Sequence, residues 1–140
     1  MKNTKIPFLA GRLSDVASRF IENELRDAGY NDLLPCHGDI LNALLMHKEL
    51  SVVELAKLTH RSKSTISALA DKLVTLGYVV KHRSIADSRV IFLSLSDKGR
   101  QVEPTMQNIS QKLTHRLVDG LKVEEIQQME ALLECLLKRF

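Results

Sequence analysis

The hydrophobic period of this chain changes from helical to strand-like at Gly77. In residues 51–76 the apolar side chains recur at three- and four-residue steps, which is the period of an amphipathic helix. In residues 78–95 they are β-branched, aromatic or alternating, which is typical of strands. Helical segments followed at once by a hairpin therefore form the unit around which the remaining chain must pack.

Local signals divide the helical part into two short helices. Ser51 and Glu54 have the spacing of a capping box, in which each side chain satisfies a free backbone amide of the other residue. Ser62 is placed to cap a second helix, which should run to about Leu76 and end at Gly77 in a left-handed conformation. The apolar side of the first helix consists of Val52, Leu55, Ala56 and Leu58.

The second helix has one apolar and one polar face. At about 100° per residue, its apolar face collects Ile66, Leu69, Ala70, Leu73 and Leu76, and the opposite face collects Ser64, Ser67, Ala68, Asp71 and Thr75. The side chains at the start of that opposite face are small and polar, so the helix can approach base edges in a major groove. The pattern predicts a DNA-recognition helix.

Residues 82–89 form a charged turn between the two strand-like segments, which makes the hairpin a wing. A helix-turn-helix followed by a wing resembles the MarR (multiple antibiotic resistance regulator) family of bacterial transcription factors. The resemblance is specific at LAKLTHRSKSTISALADKLVTLGYV (residues 55–79), at the wing pattern Asp87-Ser88-Arg89, and at LSLSDKGR (residues 93–100). It implies a mostly α fold with a small β-hairpin wing (α+β) and dimerisation helices at both termini.

The expected DNA contacts lie on the turn, the second helix and the wing. Hydroxyls and free amides at the helix start suit phosphates, an outward lysine suits a phosphate or a guanine edge, and the next turn should meet base edges. In the wing, Asp87 is expected to hold Arg89 for insertion into a minor groove. The full set is Arg61, Ser62, Lys63, Ser64, Thr65, Ser67, Ala68, Lys81, Arg83, Asp87 and Arg89.

Each of these contacts has a plainer alternative. The hydroxyls serve equally as helix caps, and Asp87 with Arg89 would also make an ordinary exposed ion pair worth under about 1 kcal/mol. The chain departs from the family pattern at Ala68, where many relatives carry arginine, because a methyl group can touch thymine but cannot read guanine. It also departs at His60 and Arg61, where the family more often has glycine and an apolar residue.

Amphipathic helices flank this region on both sides. One is expected over residues 6–28, a long one from the Ser96 N-cap with a kink near Pro104, and a last one over residues 123–140. The resemblance assigns residues 1–34 and 97–140 to dimerisation and residues 35–96 to DNA binding, within one compact domain. Packing of these helices inside a single subunit is the alternative to an intertwined homodimer.

Charge and length agree with a small regulator. Residues 51–100 hold nine Lys and Arg against four Asp and Glu, whereas the rest of the 140-residue chain holds eleven against thirteen. The basic charge is therefore concentrated on the expected DNA-binding region. Two distant cysteines, no secretory signal pattern and no membrane-length apolar run predict a cytoplasmic protein that makes no membrane contact.

Motifs of catalysis and of cofactor or metal binding are missing from the sequence. It contains no nucleophile elbow, HExxH zinc motif, Walker A loop or dinucleotide fingerprint, which argues against an enzyme. Cys36 stands at a helix start, where the dipole favours thiolate, so it is a possible oxidant sensor or else a simple buried thiol. The leading prediction is a homodimeric repressor of a pseudo-palindromic operator, released by a small-molecule effector. A winged helix for protein contacts without DNA, and an oxidant sensor through Cys36, remain alternatives.

Overall fold

The computed structural model describes residues 2–140, so Met1, the first residue of the expected dimerisation segment, lies outside the described residues. The described chain is mostly helical, with one small sheet, which confirms the expected fold class. Its elements in order are α1 (Ile6–Asp27), α2 (Pro35–Met46), β1 (Leu50–Ser51), α3 (Val52–Thr59), α4 (Lys63–Thr75), β2 (Val79–Arg83), β3 (Ile91–Leu95), α5 (Asp97–Arg100), α6 (Glu103–Val118) and α7 (Val123–Leu137).

The sheet has three antiparallel strands in the order β1-β3-β2, whereas the sequence predicted a two-stranded hairpin. The hairpin itself is present, with Val79 opposite Leu95 and Arg83 opposite Ile91. The additional strand, β1, pairs Ser51 with Phe92 and is only two residues long. A segment this short shows no alternating pattern, so sequence periodicity cannot reveal it.

The hydrophobic core lies mainly between α2, α3, α4 and the sheet. Ile40, Leu55, Ile66, Leu73 and Leu93 are completely buried there. The prediction that Leu58 belongs to the apolar face of α3 is wrong, because 52% of that residue is exposed. Successive helical residues turn by about 100°, which places Leu58 roughly 110° from the direction midway between Leu55 and the buried Ala56.

The expected long helix after the wing is divided in two. Ser96 caps α5 as predicted, accepting a hydrogen bond from the Gly99 amide at 3.1 Å. However, α5 ends at Arg100, and α6 begins at Glu103 after a two-residue turn. Pro104 has no amide hydrogen to donate to the Arg100 carbonyl, so the continuous ladder expected for a kinked helix is interrupted here.

The terminal helices bury much less of their surface than residues 35–96. Helix α1 packs against α2 and α6, and Leu25 is its one fully buried residue. Helix α7 begins after Gly120, which has the positive φ of +81° expected at a helix end, and it contains no buried residue. Across residues 2–140 no helix combines the length and the apolar character that a bilayer crossing requires.

Candidate nucleic-acid interface

The start of α4 presents a cluster of exposed hydroxyl groups. Ser62 caps the helix by accepting a hydrogen bond from the Thr65 amide at 3.1 Å, and its hydroxyl also donates to Thr65 Oγ1 at 2.8 Å. The hydroxyl oxygens of Ser62 and Ser64 lie 3.1 Å apart. The free amides of the first helical turn and these hydroxyls provide several hydrogen-bond donors on one exposed surface, as phosphate binding requires.

The turn that joins α3 to α4 is built on a left-handed residue. His60 ends α3 with φ +54° and ψ +41°, a conformation that residues other than glycine and asparagine adopt rarely. Glycine, the residue expected here from the family pattern, adopts this conformation at no steric cost. Arg61 follows and reaches back to α2, where its Nη2 lies 3.1 Å from Oδ2 of Asp39. Arg61 therefore braces the turn against α2 while its side chain remains about one-third exposed.

The outer face of α4 is as the sequence predicted. Ser64, Ser67 and Ala68 are exposed, and Ile66 and Ala70 on the inner face are buried. The face therefore offers small side chains to a groove, backed by a helix that is anchored in the core.

The wing and the recognition helix border an open hollow of about 500 Å³ with basic side chains at its edge. Lys63 and Ser67 line it from α4, and Arg89 lines it from the wing. Within residues 2–140, Lys63 forms no ion pair, so its ammonium group is available to an anionic partner. The structure thus gathers three of the predicted contact residues around one concave surface.

The wing holds Arg89 by three hydrogen bonds to the carboxylate of Asp87. Oδ1 of Asp87 accepts hydrogen bonds from the Arg89 amide at 3.0 Å and from its Nε at 3.1 Å, and Oδ2 accepts one from Nη2 at 3.2 Å. These bonds lower the pKa of Asp87. The arginine side chain is 89% exposed, so it is oriented by Asp87 but not covered.

Two other basic residues of the predicted set have partners inside the protein. Nζ of Lys81 lies 2.7 Å from Oδ1 of Asp71, which ties strand β2 to the outer face of α4. Arg83 donates to the Ser88 carbonyl at 2.8 Å and so closes the wing loop. Their observed contacts are structural, and a direct DNA contact by either residue remains a prediction.

A second hollow, of about 560 Å³, is lined by two basic residues that are not in the predicted contact set. Lys57 and His60 line it together with Arg61 and Lys63. Their signal in the sequence is the run of basic residues at positions 57, 60, 61 and 63, which crosses the turn between the two helices. The turn therefore carries a continuous basic surface next to the start of α4.

The Cys36 and His37 pair lies at the first turn of α2. Cys36 is half-buried, whereas His37 is buried and its Nδ1 accepts a hydrogen bond from the Leu34 amide at 3.0 Å. Burial, together with the positive charge of Lys72, lowers the pKa of His37, while Asp32 acts in the opposite direction. Within residues 2–140, no three His, Cys, Asp or Glu side chains are grouped to hold a metal ion.

Comparison with known proteins agrees with this geometry. The family model described as MarR family matches residues 31–90, which run from α2 through β2 and the wing loop and end before β3. The chain is 28% identical over 74 residues to the HTH-type transcriptional regulator SarZ of Staphylococcus saprophyticus. That match covers 53% of this chain, and the chain spans about half the length of SarZ, 51%.

The fold is similar to that of several solved structures along nearly the whole chain. The DNA complex of MepR from S. aureus has a TM-score of 0.90 at 23% identity and covers 99% of this chain and 100% of its own. A cysteine-to-serine variant of MarR from E. coli with operator DNA has a TM-score of 0.84 at 22% identity, covering 94% and 93%. BpsR of Bordetella bronchiseptica has a TM-score of 0.81 at 20% identity, covering 95% and 98%.

These similarities in structure extend to the helices on both sides of the winged region, and the sequence match covers the recognition helix and most of the wing. The resemblance at residues 55–79 and at Asp87-Ser88-Arg89 falls inside the matched segment. Residues 31–90 are thus similar to the MarR family, and the fold along nearly the whole chain is similar to that of the solved structures of MarR, MepR and BpsR.

Proposed function

We propose that this protein is a homodimeric, non-catalytic repressor that binds a pseudo-palindromic operator in the cytoplasm. The observation that carries the proposal is the hollow in which the small outer face of α4 adjoins Arg89, oriented by Asp87. An exposed face of small residues fits a major groove, and an oriented, uncovered guanidinium fits a narrow minor groove beside it. The DNA-bound structures of MarR and MepR, which share this fold, support this assignment, as does the match of residues 31–90 to the MarR family model.

Phosphate contacts would come from the start of α4 and from the turn that precedes it. The hydroxyl cluster of Ser62, Ser64 and Thr65 lies at the positive end of α4, where anions are favoured. Lys57 and Lys63 add positive charge around the preceding turn. Such contacts position the protein on the duplex and make its affinity salt-dependent, while Ser67 and Ala68 would meet the base edges.

The dimer is proposed from the open apolar faces of the terminal helices. Leu132, Leu133 and Leu137 of α7 are 58%, 49% and 74% exposed, and α1 exposes Phe8 and Leu9 by 67% and 56%. Contiguous apolar faces of this kind mark interfaces, and a two-fold partner can cover both copies with one contact. The twofold symmetry would place two recognition helices on two half-sites of an operator.

A small effector that releases DNA is part of the proposal. BpsR is a protein whose DNA binding is regulated by 6-hydroxynicotinic acid, and it shares this fold. Any ligand that binds the free form of the present dimer better than its DNA-bound form would lower operator affinity by that same ratio.

The test is selection of bound duplexes from random DNA by the purified protein, followed by fluorescence-anisotropy titrations on the selected sequence. We expect an inverted repeat, and an affinity that falls about 10³- to 10⁵-fold between roughly 50 and 200 mM salt, as for six to ten phosphate contacts. Lys63→Ala should reduce the salt slope, whereas Lys138→Ala at the C-cap of α7 should not. A salt-independent affinity with no enriched repeat would favour the protein-contact alternative.

A further inference from the structure

One partly buried hydrogen bond connects the turn after α1 to the end of the recognition helix, between the buried Tyr78 and the exposed Asp32. The hydroxyl of Tyr78, a residue that is 2% exposed, donates to Oδ1 of Asp32 at 2.9 Å. Asp32 lies in the turn that leads from α1 to α2, and Tyr78 follows Gly77 at the end of α4. The bond therefore joins two parts of the chain that serve different purposes in the proposed dimer.

The backbone of Tyr78 is fixed by its own surroundings. Its amide donates to the Leu73 carbonyl of α4 at 3.0 Å, and its carbonyl accepts from the Ser96 amide at 3.0 Å. Gly99 of α5 packs directly on that carbonyl, since a Cβ at position 99 would lie 2.1 Å from the Tyr78 oxygen. Tyr78 thus moves only together with α4 and α5.

The ring of Tyr78 is held as firmly as its backbone. Nζ of Lys98 lies 4.3 Å from the ring centroid and donates to the Leu76 carbonyl at 2.7 Å. The Tyr30 ring is 6.5 Å away on the side of the α1–α2 turn. These two contacts restrict the Tyr78 ring and, with it, the position of the phenolic oxygen.

The acceptor side is equally well anchored to α1. The Tyr30 amide donates to the Leu25 carbonyl at 2.9 Å, and the Leu25 side chain is 1% exposed. The intervening Gly29 has φ +94°, which turns the chain sharply away from the helix. Asp32, two residues after Tyr30, is therefore carried by the end of α1.

We propose that Asp32 and Tyr78 are positioning residues, whose hydrogen bond sets the orientation of the recognition helix relative to α1. The proposal rests on the proposed function, in which α1 belongs to the dimer interface and α4 to the DNA interface. A hydrogen bond requires a narrow range of distance and angle, whereas apolar surfaces tolerate sliding. The bond therefore determines the separation of the two recognition helices, and with it the half-site spacing that the dimer accepts.

The first test compares half-site spacings. Affinities are measured for the selected operator and for operators with one base pair added or removed at the centre. In Tyr78→Phe the preference for the native spacing should fall about three- to tenfold, the equivalent of one hydrogen bond. Tyr30→Phe is the matched control, because the Tyr30 hydroxyl makes no hydrogen bond within residues 2–140. Asp32→Asn should retain the preference, since its amide oxygen still accepts the bond, and Asp32→Ala should lose it.

The second test needs no DNA and therefore separates this proposal from the proposed function. Spin labels are placed at Thr75→Cys in a background of Cys36→Ser and Cys135→Ser, and the distance between the two subunits is measured by double electron–electron resonance. Tyr78→Phe should broaden the distance distribution, and Tyr30→Phe should leave it narrow.

An unchanged distance distribution in Tyr78→Phe would overturn the proposal, whether or not the parent protein binds DNA. An unchanged spacing preference, accompanied only by a lower melting temperature, would likewise reduce Asp32 and Tyr78 to a purely structural contact. A parent protein that selects no repeat would contradict the proposed function, and the distance measurement would still decide on the positioning role.

Discussion

The winged region and the terminal helices have similar amphipathic sequence patterns but differ in what covers their apolar faces. In the winged region Leu55 and Leu73 are completely buried by the same chain. In α7 no residue is buried, although this helix also has a continuous apolar face. Amphipathicity therefore shows that a face needs a partner, and only the three-dimensional structure shows whether that partner belongs to the same chain.

The sharpest test of this difference uses two leucines with nearly equal exposure, Leu132 in α7 at 58% and Leu58 in α3 at 52%. In a dimer that covers α7, Leu132→Asp should cost about 3 kcal/mol or more per subunit, because it removes packing and buries a charge. Leu58→Asp should cost less than about 1 kcal/mol. Sedimentation and thermal denaturation measure both effects. Equal, small effects in a protein that remains monomeric would show that α7 has no partner.

The second prediction concerns a variant that should lose DNA affinity but keep its thermal stability. Arg89→Ala should weaken operator binding by about 1 to 3 kcal/mol per half-site, the magnitude of a good arginine contact to a base edge. Its melting temperature should stay close to that of the parent, because the side chain is 89% exposed. Anisotropy titrations beside melting curves give both quantities.

Two companion variants show how the arginine acts. Arg89→Lys should recover part of the affinity, since lysine keeps the charge but is more strongly hydrated and lacks the planar fork. Asp87→Ala should be milder than Arg89→Ala, because it removes the contacts at 3.1 and 3.2 Å that orient the guanidinium but not the charge. Unchanged affinity in Arg89→Ala would mean that the wing remains outside the groove.

The third prediction concerns pH at the boundary between the two regions. Burial, and secondarily Lys72, lower the pKa of His37 below its usual 6.5, so the unfolded chain takes up the proton first as the pH falls. The stability contributed by neutral His37 is therefore complete above about pH 6.5 and is lost progressively below it.

His37→Asn supplies the comparison for this pH effect. Its side-chain oxygen can still accept the Leu34 amide, but it does not titrate in this range. The melting temperature of the variant should fall less between about pH 7.5 and pH 5 than that of the parent. His115→Asn, at an exposed histidine of α6, is the control and should follow the parent. Parallel curves for His37→Asn and the parent would contradict the prediction.

The smallest expected effect is at Cys36, which is half-buried at the start of α2. We expect Cys36→Ser to bind operator like the parent, and peroxide to leave the affinity of the parent unchanged, as for a structural thiol. Loss of binding on oxidation in the parent, with full retention in Cys36→Ser, would instead make this thiol a sensor.

The sequence predicted those features that depend on residues close together in the chain. The caps at Ser51, Ser62 and Ser96, the exposed face of α4 and the Asp87–Arg89 contact each arise within a few residues. Such local contacts are set by backbone geometry that a spacing of two or three residues already defines.

Features that depend on residues far apart in the chain could not be predicted from the sequence. The Lys81–Asp71 ion pair joins a strand to a helix, and the Tyr78–Asp32 hydrogen bond spans 46 positions. The charge of Lys81 predicts a DNA contact, and the sequence alone does not show that Lys81 also pairs with Asp71. The exposure of Leu58 and the presence of strand β1 could not be predicted for a related reason. Short elements contain too few residues for a hydrophobic period to be defined.

Ser51 belongs to two elements at once, because it pairs with Phe92 in the sheet and caps α3. These two roles restrict the amino acids that can occupy position 51. Asp and Asn cap helices well but are unfavourable in strands, whereas Val and Ile suit strands but cannot cap. Only the hydroxyl residues Ser and Thr meet both requirements. The one substitution that this position should tolerate is therefore Ser51→Thr.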